Sequence, residues 1–225
     1  MKEVQVISLG GSLIFPDNID TDYIKSFIDL VREEVSKGKR FIIIAGGGRL
    51  ARRYQDALKE FDDESEALDW VGIHSTRLNA EFVKMAFGDM ANTQIITSPD
   101  MEVDWNEDVI LGAGWKPGRS TDYIAVELAK KFGAKKVINI SNVEYVYSKD
   151  PKKYPDAQIM KDIDWDTYLG CIPEKWEPGL STPFDPEAAR NAKSLDLEVD
   201  IILGQKLEDL RKSINNQDFD GTRIK

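Results

Sequence analysis

Three glycine clusters carry most of the chemistry this sequence could do: Gly10-Gly11-Ser12, Gly46-Gly47-Gly48, and Gly112-Ala113-Gly114 running on to Pro117-Gly118. Glycine has no Cβ, so a backbone rich in it can come close to a ligand. A helix that follows such a loop points its unpartnered first N–H groups at the same place, and a phosphate satisfies them well. Arg52, Lys116 and Arg119 stand beside the second and third clusters and supply positive charge. One such loop is a weak signal. Three, with cations beside them, suggest a site holding more than one phosphoryl group.

The elements that must position these loops are legible as apolar runs. Val4-Gln5-Val6-Ile7-Ser8-Leu9, Phe41-Ile42-Ile43-Ile44-Ala45 and Val109-Ile110-Leu111 each end at one of the clusters. All are short and rich in β-branched residues, as strands buried on both faces of a parallel sheet are. Open α/β sheets bind ligands at the carboxyl edge, so the three loops would line one crevice. Helical spacing covers Asp20 to Ser36 (Ile24, Phe27, Ile28, Val31 and Val35 inward, Gly38 ending it), Arg49 to Leu58, and Asp63 to Phe87. In the last of these, Ala67, Val71, His74, Leu78 and Phe82 form the expected buried stripe. Ser120-Thr121-Asp122 opens a helix from Tyr123 to Phe132, and Asp185-Pro186 opens another from Glu187 to Leu195.

Strands are also expected at Thr93–Thr97, Lys136–Ile140, Val199–Leu203 and Gly221–Ile224, with a short helix from Leu207 to Ile214. Val146 to Pro151 and Gln158 to Met160 read as a hairpin. From Ile163 to Pro186 the pattern dissolves, with Trp165, Tyr168, Trp176 and Phe184 among Pro173, Pro178 and Pro183. Long irregular stretches of this kind are usually functional or mobile. Neither a repeat nor a linker is visible, so the reading is one domain with an N-terminal lobe of about 1–135 and a C-terminal lobe of about 136–225.

Composition excludes several classes. The chain has 225 residues, 41% apolar and 31% charged, which suits a globular protein with a substantial core. A net charge of -10 argues against nonspecific nucleic-acid binding, but not against an anionic small substrate met by local arginines. No stretch approaches the ~20 apolar residues of a membrane span, and no secretory leader is visible. Cys171 is the only cysteine, so a cytoplasmic, reducing setting is expected.

Arg49 and Arg52 lie three apart, so both can flank one face of a helix's first turn; solvated surface arginines are the bland alternative. His74, the only histidine, reads as a buried or interface residue rather than a general base, and Asp69 could be a plain solvated carboxylate. A Walker-type loop and a Gly-x-Ser-x-Gly elbow are missing, which argues against P-loop nucleotidases and serine hydrolases. Gly46-Gly47-Gly48-Arg49-Leu50-Ala51 fits the dinucleotide pattern, but the strand with an acidic residue that should follow is replaced by a long helix.

Four segments together carry a family resemblance: Leu9-Gly10-Gly11-Ser12-Leu13, Ala45 to Arg52, Gly114 to Asp122, and Ser141-Asn142-Val143-Glu144-Tyr145-Val146-Tyr147-Ser148-Lys149-Asp150-Pro151. In that order they resemble the amino acid kinase superfamily, and most of all its archaeal-type UMP kinases. The resemblance implies an α/β fold, a three-layer αβα doubly wound and mainly parallel sheet of the carbamate-kinase kind. It implies transfer of the ATP γ-phosphoryl group to UMP, with Mg2+ accompanying ATP, and a homo-oligomer built from dimers through the Asp63–Phe87 helix, up to a hexamer. Carried over by position, Gly10, Gly11, Ser12, Gly48 and Arg52 would hold the ATP phosphates, and Ser141, Asn142, Tyr147 and Asp150 would surround the rest of ATP. Gly47, Asp69 and the stretch Trp115, Lys116, Pro117, Gly118, Arg119, Ser120 and Thr121 would take UMP. Arg52 and Lys116 would be catalytic cations, and Asp122 matches the aspartate that orients catalytic lysines.

Three departures stand out, one of them the acceptor loop, which carries Trp115, Lys116 and Arg119 at positions where archaeal relatives differ. Many family members have a lysine where this chain has Ser8, and a glycine near the adenine pocket is lost at Glu144-Tyr145. The rival readings are a kinase of another phosphorylated acceptor such as isopentenyl phosphate, which would rely on His74, and a nucleotide-binding storage protein without turnover.

Overall fold

A computed structural model describes residues 2–151, 153–174 and 182–225. The chain runs through β1 (Glu3–Leu9), α1 (Gly11–Ile14), α2 (Thr21–Ser36), β2 (Lys39–Ala45), α3 (Gly48–Leu58), α4 (Ser65–Phe87), β3 (Ala91–Ile96), β4 (Val109–Gly112) and α5 (Thr121–Phe132). It continues through β5 (Lys136–Ser141), β6 (Val146–Tyr147), β7 (Ile159–Met160), β8 (Asp162–Ile163), α6 (Trp165–Cys171), α7 (Pro186–Ser194), β9 (Glu198–Leu203), α8 (Leu207–Ile214) and β10 (Thr222–Ile224).

The main sheet has the order β3-β4-β2-β1-β5-β9-β10-β8, and β6 and β7 form a separate antiparallel pair. All neighbours in the main sheet are parallel except β9 and β10. The central strands of this sheet bury both faces, and the alternation shows which side each residue serves. Val6, Ile42, Ile44 and Ile110 pack with residues of α5 and α7 on one side. Ile7, Leu9, Phe41 and Ile43 pack with residues of α2, α4 and α8 on the other. Each such side chain contributes about 1.5–3 kcal/mol by leaving water, so these short strands need no other explanation.

Register decides where the loops emerge. Leu9 is opposite both Ala45 and Ile140, and Ile44 is opposite Gly112. Gly10, Gly46 and Ala113 therefore step off the sheet at nearly the same level as Ser141, the last residue of β5, beside β1, where the chain turns from one half of the sheet to the other. Caps stand where expected: Ser120 Oγ accepts the Tyr123 N–H, Asp185 accepts the Ala188 N–H, and Gly133 closes α5 at φ 69°.

Two expectations need correction. The buried side of α4 is Leu68, Ile73, Thr76, Asn79, Ala80, Val83 and Phe87, while His74 is exposed and Leu78 is 61% exposed. Polar Thr76 and Asn79 face inward because they bond to backbone there, so apolarity alone misidentified the inner face. The supposedly irregular stretch contains β8 and α6, capped by Asp164, with Trp165 and Tyr168 buried. The Tyr168 hydroxyl accepts from the Phe184 N–H at 2.7 Å and donates to the Phe184 carbonyl at 2.6 Å, pinning the chain's return to α7. Trp176 and Pro178 lie outside the described residues. Among the described residues no helix is long and apolar enough to cross a membrane.

Candidate active site

The first and second glycine loops touch backbone to backbone. A Cβ at Gly11 would stand 2.3 Å from the Gly48 nitrogen, and one at Gly48 would stand 2.2 Å from the Gly11 carbonyl carbon. Gly48 also has φ +60°, so a side chain there meets both a clash and a strained backbone. Such contact brings two sets of amides together. The N–H groups of Gly11, Ser12, Gly47 and Gly48 donate to no protein acceptor among the described residues. Four free donors at the starts of α1 and α3 make an anion cradle.

Around the cradle is a crevice of about 510 Å³, a size that suits small-molecule sites. Its lining includes Gly10, Gly11, Ser12, Gly47, Gly48, Arg52, Asp69, Arg119, Ser120, Thr121, Asp122, Ser141 and Asn142, so most residues expected at the site meet there. Trp115, Lys116, Pro117, Gly118, Tyr147 and Asp150 are not in the lining. Lys116 Nζ rests 4.0 Å from the centre of the Trp115 ring and is exposed. Tyr147 stacks edge-on with Tyr145, and both Tyr147 and Asp150 belong to the β6–β7 hairpin segment. Arg49 is paired with Asp17 instead of facing the crevice. Arg119 does face it, pairing with Glu187 and stacking 4.6 Å from the Tyr123 ring.

Asp69 has two duties available to it. It lines the crevice and also accepts the Gly118 N–H at 2.7 Å, tying the third loop to α4. Burial pushes its carboxyl above the ordinary value, and the Gly118 bond partly opposes this.

A model of the amino acid kinase family matches residues 3–202. The chain belongs to that family. A protein named uridylate kinase from Methanobrevibacter smithii is 30% identical over 97% of both chains, and one from Thermoplasma volcanium is 39% identical over 70% of this chain and 69% of its own. The crystal structure of uridylate kinase from Archaeoglobus fulgidus superposes with a TM-score of 0.84 at 29% identity, covering 100% of both chains.

Within this amino acid kinase the floor of the crevice joins β1 to α5. Ser8, where many members carry lysine, donates its hydroxyl to Asp122 Oδ1 at 2.9 Å, and the Asp185 N–H donates to Oδ2 at 3.2 Å. Burial, with the Asp185 carboxylate nearby, raises the Asp122 carboxyl to about 7, although the Ser8 bond opposes the rise. Among the described residues the partners of this aspartate are a hydroxyl and an amide rather than a cation.

The Glu144-Tyr145 departure builds structure at the side of the site. Tyr145 is buried, its hydroxyl donates to Asp220, and Lys206 bridges Glu144 and Asp220 at 2.8 Å each. Val143 lines the crevice; Glu144 and Tyr145 do not.

Sequence reasoning missed several residues of this kinase's crevice, among them Gln55, Thr76 and Asn139. Asn139 had a signal: it is the one polar residue within the run Val137-Ile138-Asn139-Ile140, and its amide donates to the Pro183 carbonyl at 3.0 Å. Gln55 and Thr76, on α3 and α4, had none, since polar residues on an amphipathic helix normally read as its outer face.

Proposed function

We infer that this chain is a uridylate kinase, transferring the γ-phosphoryl group of ATP to UMP to give UDP. The observation that carries the reading is the pair of interlocked glycine loops, whose four free amides meet in one crevice. The similarity to proteins named uridylate kinase over nearly the whole chain supports this acceptor over others.

Phosphoryl transfer needs in-line alignment and neutralisation of charge on the moving group, with little covalent work by the protein. Gly11, Ser12 and Gly48 supply amides to the donor phosphates, and Gly47 faces the acceptor phosphate. Arg52, near the start of α3, adds a cation that lines the crevice, while Arg119, Ser120 and Thr121 hold the acceptor. Asp122 organises the floor and does not need to abstract a proton, because the UMP phosphate is already ionised at neutral pH. Ser141 and Asn142 flank the ATP side, in a division of labour between an acceptor lobe of about 1–135 and an ATP lobe of about 136–225.

No group of three or more potential metal ligands occurs among the described residues. Mg2+ would therefore come in on the nucleotide phosphates, and Asp122, a carboxylate of the crevice lining, is the residue that would support it. When bound, the ion neutralises phosphoryl charge. A homo-oligomer goes with this reading, because α3 and α4 expose Tyr54, Trp70, Leu78 and Met85 at 38% to 67%. We expect dimers through α4, assembling up to a hexamer, in the cytoplasm.

The rival acceptor reading needed a histidine in the pocket. His74 is exposed and lies outside the crevice lining. Phosphate transfer from ATP to UMP, CMP, AMP and isopentenyl phosphate, measured side by side, tests the assignment. A strong preference for UMP is expected. Equal rates with all nucleotides, preference for isopentenyl phosphate, or no turnover with any acceptor would overturn it.

A further inference from the structure

We propose that Asn79, which lies outside the lining of the crevice, is the positioning residue that aims the amides of the second glycine loop. This rests on the reading of that loop as a phosphate cradle. Asn79 sits on the inner face of α4 and is 4% exposed. Its Nδ2 donates to the Gly46 carbonyl at 2.8 Å and to the Gly47 carbonyl at 3.4 Å.

In a trans peptide the N–H points opposite to the C=O of the same plane, and this chain has no cis peptide bond among the described residues. Holding the Gly46 and Gly47 carbonyls toward α4 therefore turns the Gly47 and Gly48 N–H groups away from it. Those are the two amides of this loop that find no protein acceptor, on residues that line the crevice. The Gly47 carbonyl also accepts the Ala51 N–H at 3.2 Å, whereas among the described residues the Gly46 carbonyl is held by Asn79 alone; without that hold the Gly46–Gly47 peptide plane could rotate at little cost. Asn79 removes that freedom and leaves the donors prealigned, which is the condition under which fixed dipoles stabilise developing charge.

Thr76, one turn earlier on the same face, shows the contrast. Its hydroxyl accepts the Gly114 N–H at 2.7 Å, so the third loop's amide is consumed by the protein. Helix α4 thus holds one loop by its carbonyls and the other by an N–H, and only the first arrangement frees donors for a ligand.

The test uses the full chain labelled with ¹⁵N-glycine, and two variants. Asn79→Asp keeps the shape of the side chain but sets a carboxylate against the two carbonyls; Asn79→Ala removes the group. In the wild type, the Gly47 and Gly48 amide resonances should shift when ATP or UMP is added. In folded variants those shifts should shrink, and kcat should fall at least about tenfold, while each nucleotide's KM changes by less than about threefold. Wild-type amides that ignore both nucleotides would sink the cradle reading itself. Wild-type amides that respond, with an Asn79→Ala response and kcat within about twofold of the wild type, would sink the role of Asn79 and leave the cradle standing. If neither variant folds, Asn79 belongs to the scaffold and the positioning role is overturned.

Discussion

Ser8 and Asp122, 114 positions apart in the chain, meet on the floor of the crevice through a hydroxyl-to-carboxylate hydrogen bond of 2.9 Å. A serine hydroxyl stabilises a carboxylate less than a full positive charge would, and burial dominates the outcome. The Asp122 carboxyl accordingly titrates near 7 in the folded protein against 3.8 ordinarily.

The sign of the resulting pH dependence follows from proton counting. Between about pH 4 and 7 the folded state holds a proton on Asp122 that the unfolded chain has released. Its stabilising contribution is complete below that interval and is lost as pH rises through 7. Each tenfold difference in proton affinity is worth about 1.4 kcal/mol. Urea midpoints measured from pH 5 to 8 should fall more steeply for the wild type than for Asp122→Asn. Parallel curves would show that the carboxyl does not titrate there.

Arg52 and Lys116 separate into different roles. Only Arg52 lines the crevice; Lys116 lies over Trp115. Arg52→Ala should lower kcat/KM at least about tenfold, equivalent to ~1.4 kcal/mol of lost transition-state stabilisation. Lys116→Ala should change it by less than about threefold. Steady-state kinetics with ATP and UMP checks both. Similar losses in the two variants would mean that Lys116 leaves its ring and joins the reacting groups when nucleotides bind.

How much of this was readable beforehand depends on which force set each feature. The strands and glycine loops were legible because two-sided burial demands unbroken apolar runs, and because Gly11 and Gly48 occupy positions where a Cβ would strike backbone. The facing of α4 was not legible. Thr76 and Asn79 are inside because loop backbone needed partners, a long-range demand that leaves no mark on local periodicity. The choice between cations was hidden for the same reason. Lys116 and Arg119 are three residues apart, and their placement is decided by Trp115, Tyr123 and Glu187.

The outer face of α4 offers a prediction about assembly. Trp70 packs its ring 6.1 Å from that of His74, and Leu78 and Met85 continue the exposed apolar surface. Leu78→Glu places a charge in the middle of that surface. Sedimentation velocity should show a smaller species for Leu78→Glu than for the wild type. An unchanged mass would remove α4 from the interface, and a monomeric wild type would remove the interface altogether.

At the opposite edge of the sheet from the glycine loops, Glu34 is fully buried and accepts from Lys37 at 2.8 Å, Lys39 at 2.7 Å, Arg211 at 3.3 Å and Asn215 at 3.2 Å. Burial alone would raise its carboxyl, but the bonds from Lys37 and Lys39 win and hold it down to about 2. A lowered carboxyl stabilises the fold above its unfolded value, near 4.5, and that stabilisation drains away as pH falls toward 2. Removing the group leaves Lys39 buried without its counter-charge, a situation that destabilises by about 3–5 kcal/mol. Glu34→Ala should therefore lower the urea midpoint substantially at pH 7 and flatten its decline between pH 5 and 2. In the folded fraction kcat should stay near the wild-type value, because the network joins α2, β2 and α8 without reaching the crevice. A large fall in kcat with intact stability would place Glu34 in communication with the site, contrary to its position in the fold.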